Sequence, residues 1–447
     1  MAATGNIFLN AQEYANVMLL LLKNQLVFGK LVDGQFKDEV TDENGLTINV
    51  KRPPRFIDVK DGTANLVLQD LVVGSAPVQV NQYSKVHISV GDIEYIQSYN
   101  ALMQNETMKS AASTLAHSID KYIANQTLNF ASWVAGAPAS SGGSFNATDP
   151  TKGIASAAEA MGAHTRLMSQ GVPNSSLNGV VAFKDGEMIR GSLLSSFTPT
   201  INPTALEKVR IPLISEIDWY ATQQTPAFTT GTRAQGDGAS TGVQVTGANQ
   251  NVNYRDVMGS AGVTGMTQTL NVTGANSATY VAGDVFTIQN VFAYDWRAQK
   301  VTDHLAQFTI LANVTGNSGN GTAALTISPP IIAAGSADED GTTYTNSAFA
   351  TVGTVPANNA YIQFAGAAST SLTVKSAFHK RAISLVSARL HMPFTGTASY
   401  AVDPETGISV RYWRGSDITT GAHIHRWDCM YGAAVLDQFL GTRICGS

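Results

Sequence analysis

The sequence predicts an α+β fold interrupted by an inserted all-β module, and three observations carry that prediction. Helical and strand periodicities alternate through the first half of the chain. At about Thr229 the composition changes: residues 229–374 hold four basic and eight acidic side chains, about 8% charged against about 16% elsewhere. After Phe378 the mixed character returns, so the charge-poor stretch reads as an insertion into a domain that then resumes.

Length and composition set the frame. The 447 residues leave room for about three domains. Apolar residues make up 44% and charged residues only 14%, where an ordinary soluble protein carries ~25% charge. Interface cores are depleted of charge, so this composition suits a chain that covers much of itself with partners. A net charge of −5 argues against a broad basic surface for nucleic acid. The two cysteines, Cys429 and Cys445, show no C-x-x-C spacing; they support neither a disulfide framework nor a zinc site, and a reduced pair is expected. The apolar run at residues 17–22, closed by Lys23, is too short for a bilayer and lacks the basic flank of a signal peptide. A soluble intracellular chain with no membrane partner is expected.

The elements follow in order. Residues 10–28 are predicted helical, with Asn10 and Glu13 spaced as a capping box and Tyr14, Val17, Met18, Leu21 and Leu22 as the apolar stripe. Leu19 and Leu20 carry the apolar surface to the far side, so this helix needs cover on both faces, from its own chain or a neighbouring subunit. Leu46, Ile48 and Val50, and later Val86, Ile88 and Val90, alternate with polar residues as two strands expected to pair in an antiparallel arm. The excursion between them far exceeds the ~2–5 residues of a hairpin loop, and reads as an internal lobe or an arm built to touch something else. Asp92 is placed to cap a first helical segment through Met103. Met108, Ala112, Leu115, Ile119, Ile123, Phe130 and Trp133 then mark one face of a helix expected to stop at Gly136 and Pro138. Such a spine extends ~45 Å. Asp149-Pro150 opens a further helix, ended by Gly171 and Pro173. A strand at 180–183, a short helix at 184–193 and strand or irregular core at 211–220 complete the first part. In the charge-poor module, Val285, Thr287 and Gln289 alternate, and residues 308–311 and 324–327 read as strands of a small barrel. The glycine-rich 316–321 joins two of them as a hairpin turn, since no helix follows it to hold a phosphate.

Catalytic constellations are not found. The sequence holds no Walker A motif and no G-x-S-x-G elbow. His423 and His425 share one face of a strand ~7 Å apart, but no third ligand is supplied locally and a structural role is expected. No enzyme activity, metal or cofactor is therefore predicted. Lys51, Arg52 and Arg55 lie beside Asp58 and Asp61, as a self-paired arm or an anion site. Asp338, Glu339 and Asp340 form an acidic loop whose carboxylates would seek basic partners if the module met a copy of itself. Lys51, Arg52, Arg55, Asp58, Asp338, Glu339 and Asp340 are accordingly the candidate inter-subunit contacts.

The ordered set of N-terminal helix, long two-stranded arm, spine helix, α+β domain and late inserted barrel resembles the HK97-like fold of tailed-phage major capsid proteins. The inserted barrel resembles that of the P22-like coat proteins. Gly283-Asp284-Val285-Phe286-Thr287-Ile288, Gln307-Phe308-Thr309-Ile310 and Leu325-Thr326-Ile327-Ser328-Pro329-Pro330 are similar to the family's barrel strands, and residues 219–232 to its lead-in from the central domain. The resemblance implies an N-terminal helical arm at 1–45, an extended β-hairpin loop at 46–90, and a spine helix with peripheral domain at 91–149. It implies a central α+β domain at 150–228, the inserted barrel at 229–374, and a second central and peripheral part at 375–447. It further implies a structural coat protein that self-assembles as pentamers and hexamers into an icosahedral head in the host cytoplasm. Its partners would be a separate scaffolding protein, a portal protein, and packaged double-stranded DNA held without sequence reading. The insert departs from the family pattern in its length and its poverty of charge. In this reading the arm and the terminal helix find their apolar cover on sister copies. The competing expectation is a β-rich carbohydrate-binding or adhesion protein, suggested by the Ser/Thr/Asn-rich module.

Overall fold

A computed structural model describes residues 11–36, 46–58, 69–91, 106–133, 154, 157–196, 214–234, 242–258, 265–337, 341–394, 396–417, 419 and 421–444. The chain divides into two units, one drawn from 1–48, 78–124 and 383–434 and the other from 49–77, 125–382 and 435–447. The expected caps at Asn10, Asp92 and Asp149-Pro150, the helix stop at Gly136 and Pro138, the acidic 338–340 and Cys445 lie outside the described residues.

The first unit is built on a five-stranded sheet. Strands β18 (Ile383–Ala388), β21 (Ala422–Val435), β20 (Ser409–Asp417) and β19 (Thr397–Val402) follow one another, and β3 (Gln82–Gly91) joins the other edge of β21. Period-two alternation turns Val410, Tyr412, Trp427, Cys429 and Tyr431 to one face, where all are buried. Two helices cover that face. α1 (Ala11–Gln25) sets Tyr14 against Tyr412, ring centroids 5.3 Å apart, and buries Ala15, Met18 and Leu22. Lys23 ties its last turn to Asp403 at 3.2 Å and Glu405 at 2.7 Å. α3 (Glu106–Gln126) brings Ser118 within 2.9 Å of Ser84 and 3.1 Å of the Tyr431 hydroxyl. Buried Asp120 on α3 accepts from the backbone N–H groups of Val27 and Gly29, at 2.8 and 3.0 Å, where α2 (Phe28–Leu31) begins.

Three expectations change here. β1 (Thr47–Lys51) pairs with β2 (Ser75–Gln79), whereas β3 pairs with β21, so the two strands predicted to form one arm belong to different sheets. Alternation fixes the face of a strand and is silent about its neighbour. The terminal helix finds its principal cover within its own chain, leaving Val17 and Leu20 outward, 41% and 61% exposed. The spine helix ends at Gln126, about 31 Å long. A 3-10 turn follows at Thr127–Asn129, Phe130 is extended and buried, and Ser132–Trp133 become strand β4. The i, i+3, i+4 pattern ran on through Phe130 because that residue is apolar for a different reason: it fills the second unit's core beside Phe378.

In the second unit a mixed sheet runs β4–β22–β17–β5–β6, with β5 (Leu177–Val181), β6 (Ile217–Ala221), β17 (Lys375–His379) and β22 (Gly441–Ile444). β4 lies parallel to β22 and β5 parallel to β6; β17 is antiparallel to both its neighbours. α4 (Ala157–Ser169) and α5 (Phe183–Ser196) accompany it. Ala160, Ala163 and Leu167 of α4 and Ile189 of α5 share a core with Val181, Ile217, Trp219, Ala377 and Ile444.

The inserted module begins after β7 (Ala227–Thr229), which pairs antiparallel with β16 (Ser371–Thr373), so the strands that lead in and out lie side by side. Between them six strands run in the order β15–β11–β12–β14–β9–β8, namely Ile362–Phe364, Val285–Asp295, Lys300–Ile310, Thr322–Ser328, Gln268–Thr273 and Gln244–Val245. Gln244 bridges Tyr361, Val245 N–H donates to Ala360 O at 2.9 Å and Ile362 N–H to Val243 O at 2.9 Å, nearly closing the sheet into a barrel. Closure removes the exposed edges that a charge-poor sheet would otherwise offer to aggregation. Phe286, Phe308, Phe364, Leu270, Leu325, Ile310 and Ile327 fill the interior. A short ladder of β10 (Thr279–Tyr280) and β13 (Val314–Thr315) flanks it. The 316–321 stretch is a turn, with Asn317 N–H donating to Thr322 O at 2.9 Å and Gly321 N–H to Asn317 O at 3.0 Å.

Candidate assembly surfaces

Where the module joins the body, the sequence places a cation, a carboxylate and two glycines in a setting with little other charge. At Gly231 a Cβ would stand 2.0 Å from the Thr279 carbonyl oxygen, so only glycine allows the lead-in to pass. Two residues on, Arg233 donates to Asp284 at 3.1 Å and to Ala365 O at 3.2 Å, with both side chains of the ion pair fully buried. Asp284 also accepts from Val281 N–H at 3.1 Å and Gly231 N–H at 3.3 Å. The Arg233 guanidinium lies over the Phe364 ring, 4.5 Å from its centroid. Arg443, from the last strand, donates to Gly283 O at 2.6 Å and is itself buried; burial pulls its guanidinium down to about 9, with the Asp284 charge opposing. One carboxylate thus balances two buried cations, and that cluster fastens lead-in, barrel and C-terminal strand together. In the sequence, Arg233 is one cation among four in the module; its value as a signal lies in its rarity.

The arm is held against the module of its own chain. Arg52 N–H donates to Gly74 O at 2.8 Å and Ser75 N–H to Met258 O at 3.0 Å. The Gln69 amide bonds Ile57 N–H and C=O, at 3.1 and 2.7 Å, tying the two branches. Ile57 and Val72 pack on Tyr254, Val257, Met266, Ile332 and Phe349, where α6 (Tyr254–Val257) and α7 (Tyr344–Ala348) stack Tyr254 on Phe349 at 3.5 Å. Arg255 pairs with Asp70 at 2.7 Å. Arg55 meets Asp437 at 3.7 Å and lies 4.8 Å from the Trp296 ring centroid. Burial lowers the Arg52 guanidinium below its ordinary range, with Asp437 partly opposing. The expectation that the arm is covered only by sister copies is corrected: its inner aliphatics are covered at home. Its outer ones, Phe56, Leu71 and Val73, remain 52%, 65% and 41% exposed. Lys51 and Asp58 are exposed; Asp338, Glu339 and Asp340 are not among the described residues.

The histidine pair does structural work. His423 Nδ1 lies 2.8 Å from Ser416 Oγ, and buried His425 Nδ1 lies 2.7 Å from the Tyr412 hydroxyl. Burial, then Arg414 and His423, push His425 down to about 4, so it stays neutral. Cys429 is buried, its thiol pushed up to about 12 by desolvation. Among the described residues no group of three or more His, Cys, Asp or Glu side chains is placed to hold a metal. No helix among them is long and apolar enough to cross a membrane.

Residues 228–446 match the family model described as P22 coat protein, gene protein 5. This stretch, just under half of the chain, is similar to the P22 coat protein family. The matched region opens on the strand that leads into the barrel and closes beyond β22. That description is of a phage coat protein, a structural component of the virion. The α+β architecture with its inserted barrel resembles the HK97-like capsid fold. Similar solved structures include one from Mycobacterium phage Che8, at 12% identity, 94% of this chain, 90% of that chain and TM-score 0.44. The capsid structure of the cyanophage P-SCSP1u matches at 9% identity, 100% of this chain, 92% of that chain and TM-score 0.42. The CUS-3 coat protein I-domain matches at 24% identity over 28% of this chain and 97% of its own length, TM-score 0.20. No curated protein matches the sequence.

Proposed function

We propose that this coat protein assembles as pentamers and hexamers into a closed icosahedral head that confines double-stranded DNA without reading its sequence. The observation that carries the proposal is the coat-family match across a barrel joined to an α+β body. A net charge of −5 fits a container that repels its contents from most of its wall. A separate scaffolding protein guides closure and a portal protein occupies one vertex. The N-terminal arm at 1–45, the extended loop at 46–90 and the spine helix with peripheral domain at 91–149 make the contacts between copies; the central domain at 150–228 and the central and peripheral part at 375–447 bring copies together around the rings; the barrel, 229–374, stiffens the subunit and touches neighbours. In the arm, exposed Lys51 and Asp58 face the adjoining copy while Arg52 and Arg55 set the arm's pose. The acidic residues 338–340 take basic partners across a contact.

Expression alone and with the phage's other head genes, followed by negative-stain microscopy, tests this reading. Shells, tubes or rings are the expected products. Monomers that persist at high concentration under both conditions would overturn it.

A further inference from the structure

Within the first unit and among the described residues, α1 and α3 pack on one face of the sheet and no helix or sheet packs on the other. On that other face the alternate positions are Tyr83, Lys85 and His87 of β3, Ile424, Arg426 and Asp428 of β21, Arg411 and Trp413 of β20, and Tyr400 of β19. Asp428 is wholly buried between Arg411, at 2.5 Å, and Arg426, at 2.6 Å. Both guanidinium groups also lie over Trp413, 5.8 and 5.6 Å from its centroid, and Arg426 bonds the Tyr83 hydroxyl. Arg389 lies over Tyr400 at 5.6 Å. Beside the sheet, Arg411 donates to His391 O and so pins the loop whose Phe394 is 99% exposed, the fullest exposure of any large apolar residue described.

Four full positive charges, Lys85, Arg389, Arg411 and Arg426, therefore stand here. Among the side chains described on this face the carboxylate set against them is Asp428, itself sealed beneath two of them, and the next acidic position on the same alternation is Asp417 at the far end of β20. The whole chain is nevertheless negative, so the compensating acid lies elsewhere on its surface. Arg, Tyr, Trp and Phe are the residues enriched at the energetic centres of protein interfaces. The guanidinium groups already lie over Trp413 and Tyr400, so the face offers no row of open rings for bases to stack on.

We propose that this face, with Phe394 as its apolar anchor, docks an acidic surface of a second copy of the chain. The proposal rests on the coat-protein reading above and adds to it a surface in the first unit, outside the inserted barrel. Charge complementarity sets the register of the contact and Phe394 supplies the desolvated contact area.

The test uses full-length protein with K85E/R389E, K85R/R389K and F394A variants. Lys85, Arg389 and Phe394 are exposed and stand outside the Asp428 clamp. Assembly is followed by light scattering, folding by circular dichroism, and binding to a fluorescent DNA duplex by anisotropy. Charge reversal and F394A are each expected to slow assembly by about tenfold or more with unchanged melting, while K85R/R389K assembles normally. Raising salt from about 0.05 to 0.5 M should slow wild type more than the charge-reversed variant. Variants that assemble at the wild-type rate overturn the proposal. Charge reversal that abolishes DNA binding and leaves assembly intact also overturns it, in favour of nucleic acid. A wild type that never assembles refutes the coat reading itself and the proposal with it.

Discussion

Asp284 is a junction of the molecule, because two buried arginines and two backbone N–H groups converge on it or its neighbours. Removing one partner of a buried ion pair costs about 3–5 kcal/mol, since the other charge stays desolvated. Asp284→Ala should fall at the top of that range, as it leaves Arg233 and Arg443 both uncompensated. Arg233→Met should cost less, because Asp284 keeps its two N–H donors. Urea unfolding of the two variants checks the order, and the reverse order would show that Arg443 does not depend on Asp284. A second residue-scale effect concerns pH. Burial raises Asp120 from 3.8 to about 6 despite its N–H donors, so between those values the folded state holds a proton the unfolded state has lost. Stability from this site is fully present below pH ~4 and declines as pH rises towards 6. His425 acts oppositely: held down to about 4, it contributes stability above pH ~6.5 that is lost as pH falls. Melting between pH 4 and 7 should show Asp120→Asn with a more positive slope than wild type and His425→Gln with a flatter or more negative one.

At the scale of elements, the first helix shows how far an apolar stripe can be read. Met18 is fully buried and Leu20 is 61% exposed, though both sit in one unbroken apolar run. Met18→Ala should cost about 2–5 kcal/mol, while Leu20→Ala should stay within about 0.5 kcal/mol for the isolated chain; equal losses would mean that both faces are covered at home. Periodicity makes this helix, the spine, the period-two strands and the 316–321 turn legible in the residue order alone, because each is dictated by neighbours in sequence. Pairing is not legible there. β1 and β3 carry equivalent alternation, and the choice of β2 and β21 as partners depends on residues far along the chain. The end of the spine is hidden for a related reason, since Phe130 is apolar to fill a tertiary core and not to continue a helical face. The basic face of the first unit is partly legible: with Val410 and Tyr412 inward, Arg411 and Trp413 have to point out. Its cross-strand neighbours Tyr83, Lys85 and Arg426 are assembled only by the sheet.

For the whole molecule, the inserted module is the part whose independence the geometry defines most sharply. Its lead-in and exit strands lie side by side in β7 and β16, with Thr229 opposite Ser371, so excision there leaves two ends already close together. Its principal core of aromatic and aliphatic side chains is drawn from residues 243–364, and its six strands nearly close on themselves, so most of its burial survives separation from the body. What separation removes is the Arg443 contact to Gly283, the bond from Thr309 to Phe130 O, and the arm's contacts to the module, among them Ser75 N–H to Met258 O, the Arg255–Asp70 pair, and Ile57 and Val72 on Tyr254 and Phe349. A fragment spanning residues 225–375 should therefore fold alone, with a β-type circular dichroism spectrum and a cooperative thermal transition below that of the full chain. Arg443→Met in the full chain should lower the melting of body and barrel together, because that side chain joins them, and should bring the barrel's transition down towards that of the fragment, which lacks Arg443. A fragment that melts without cooperativity would mean that the barrel borrows its stability from the body, and that the charge-poor composition marks a dependent layer and not a separable domain.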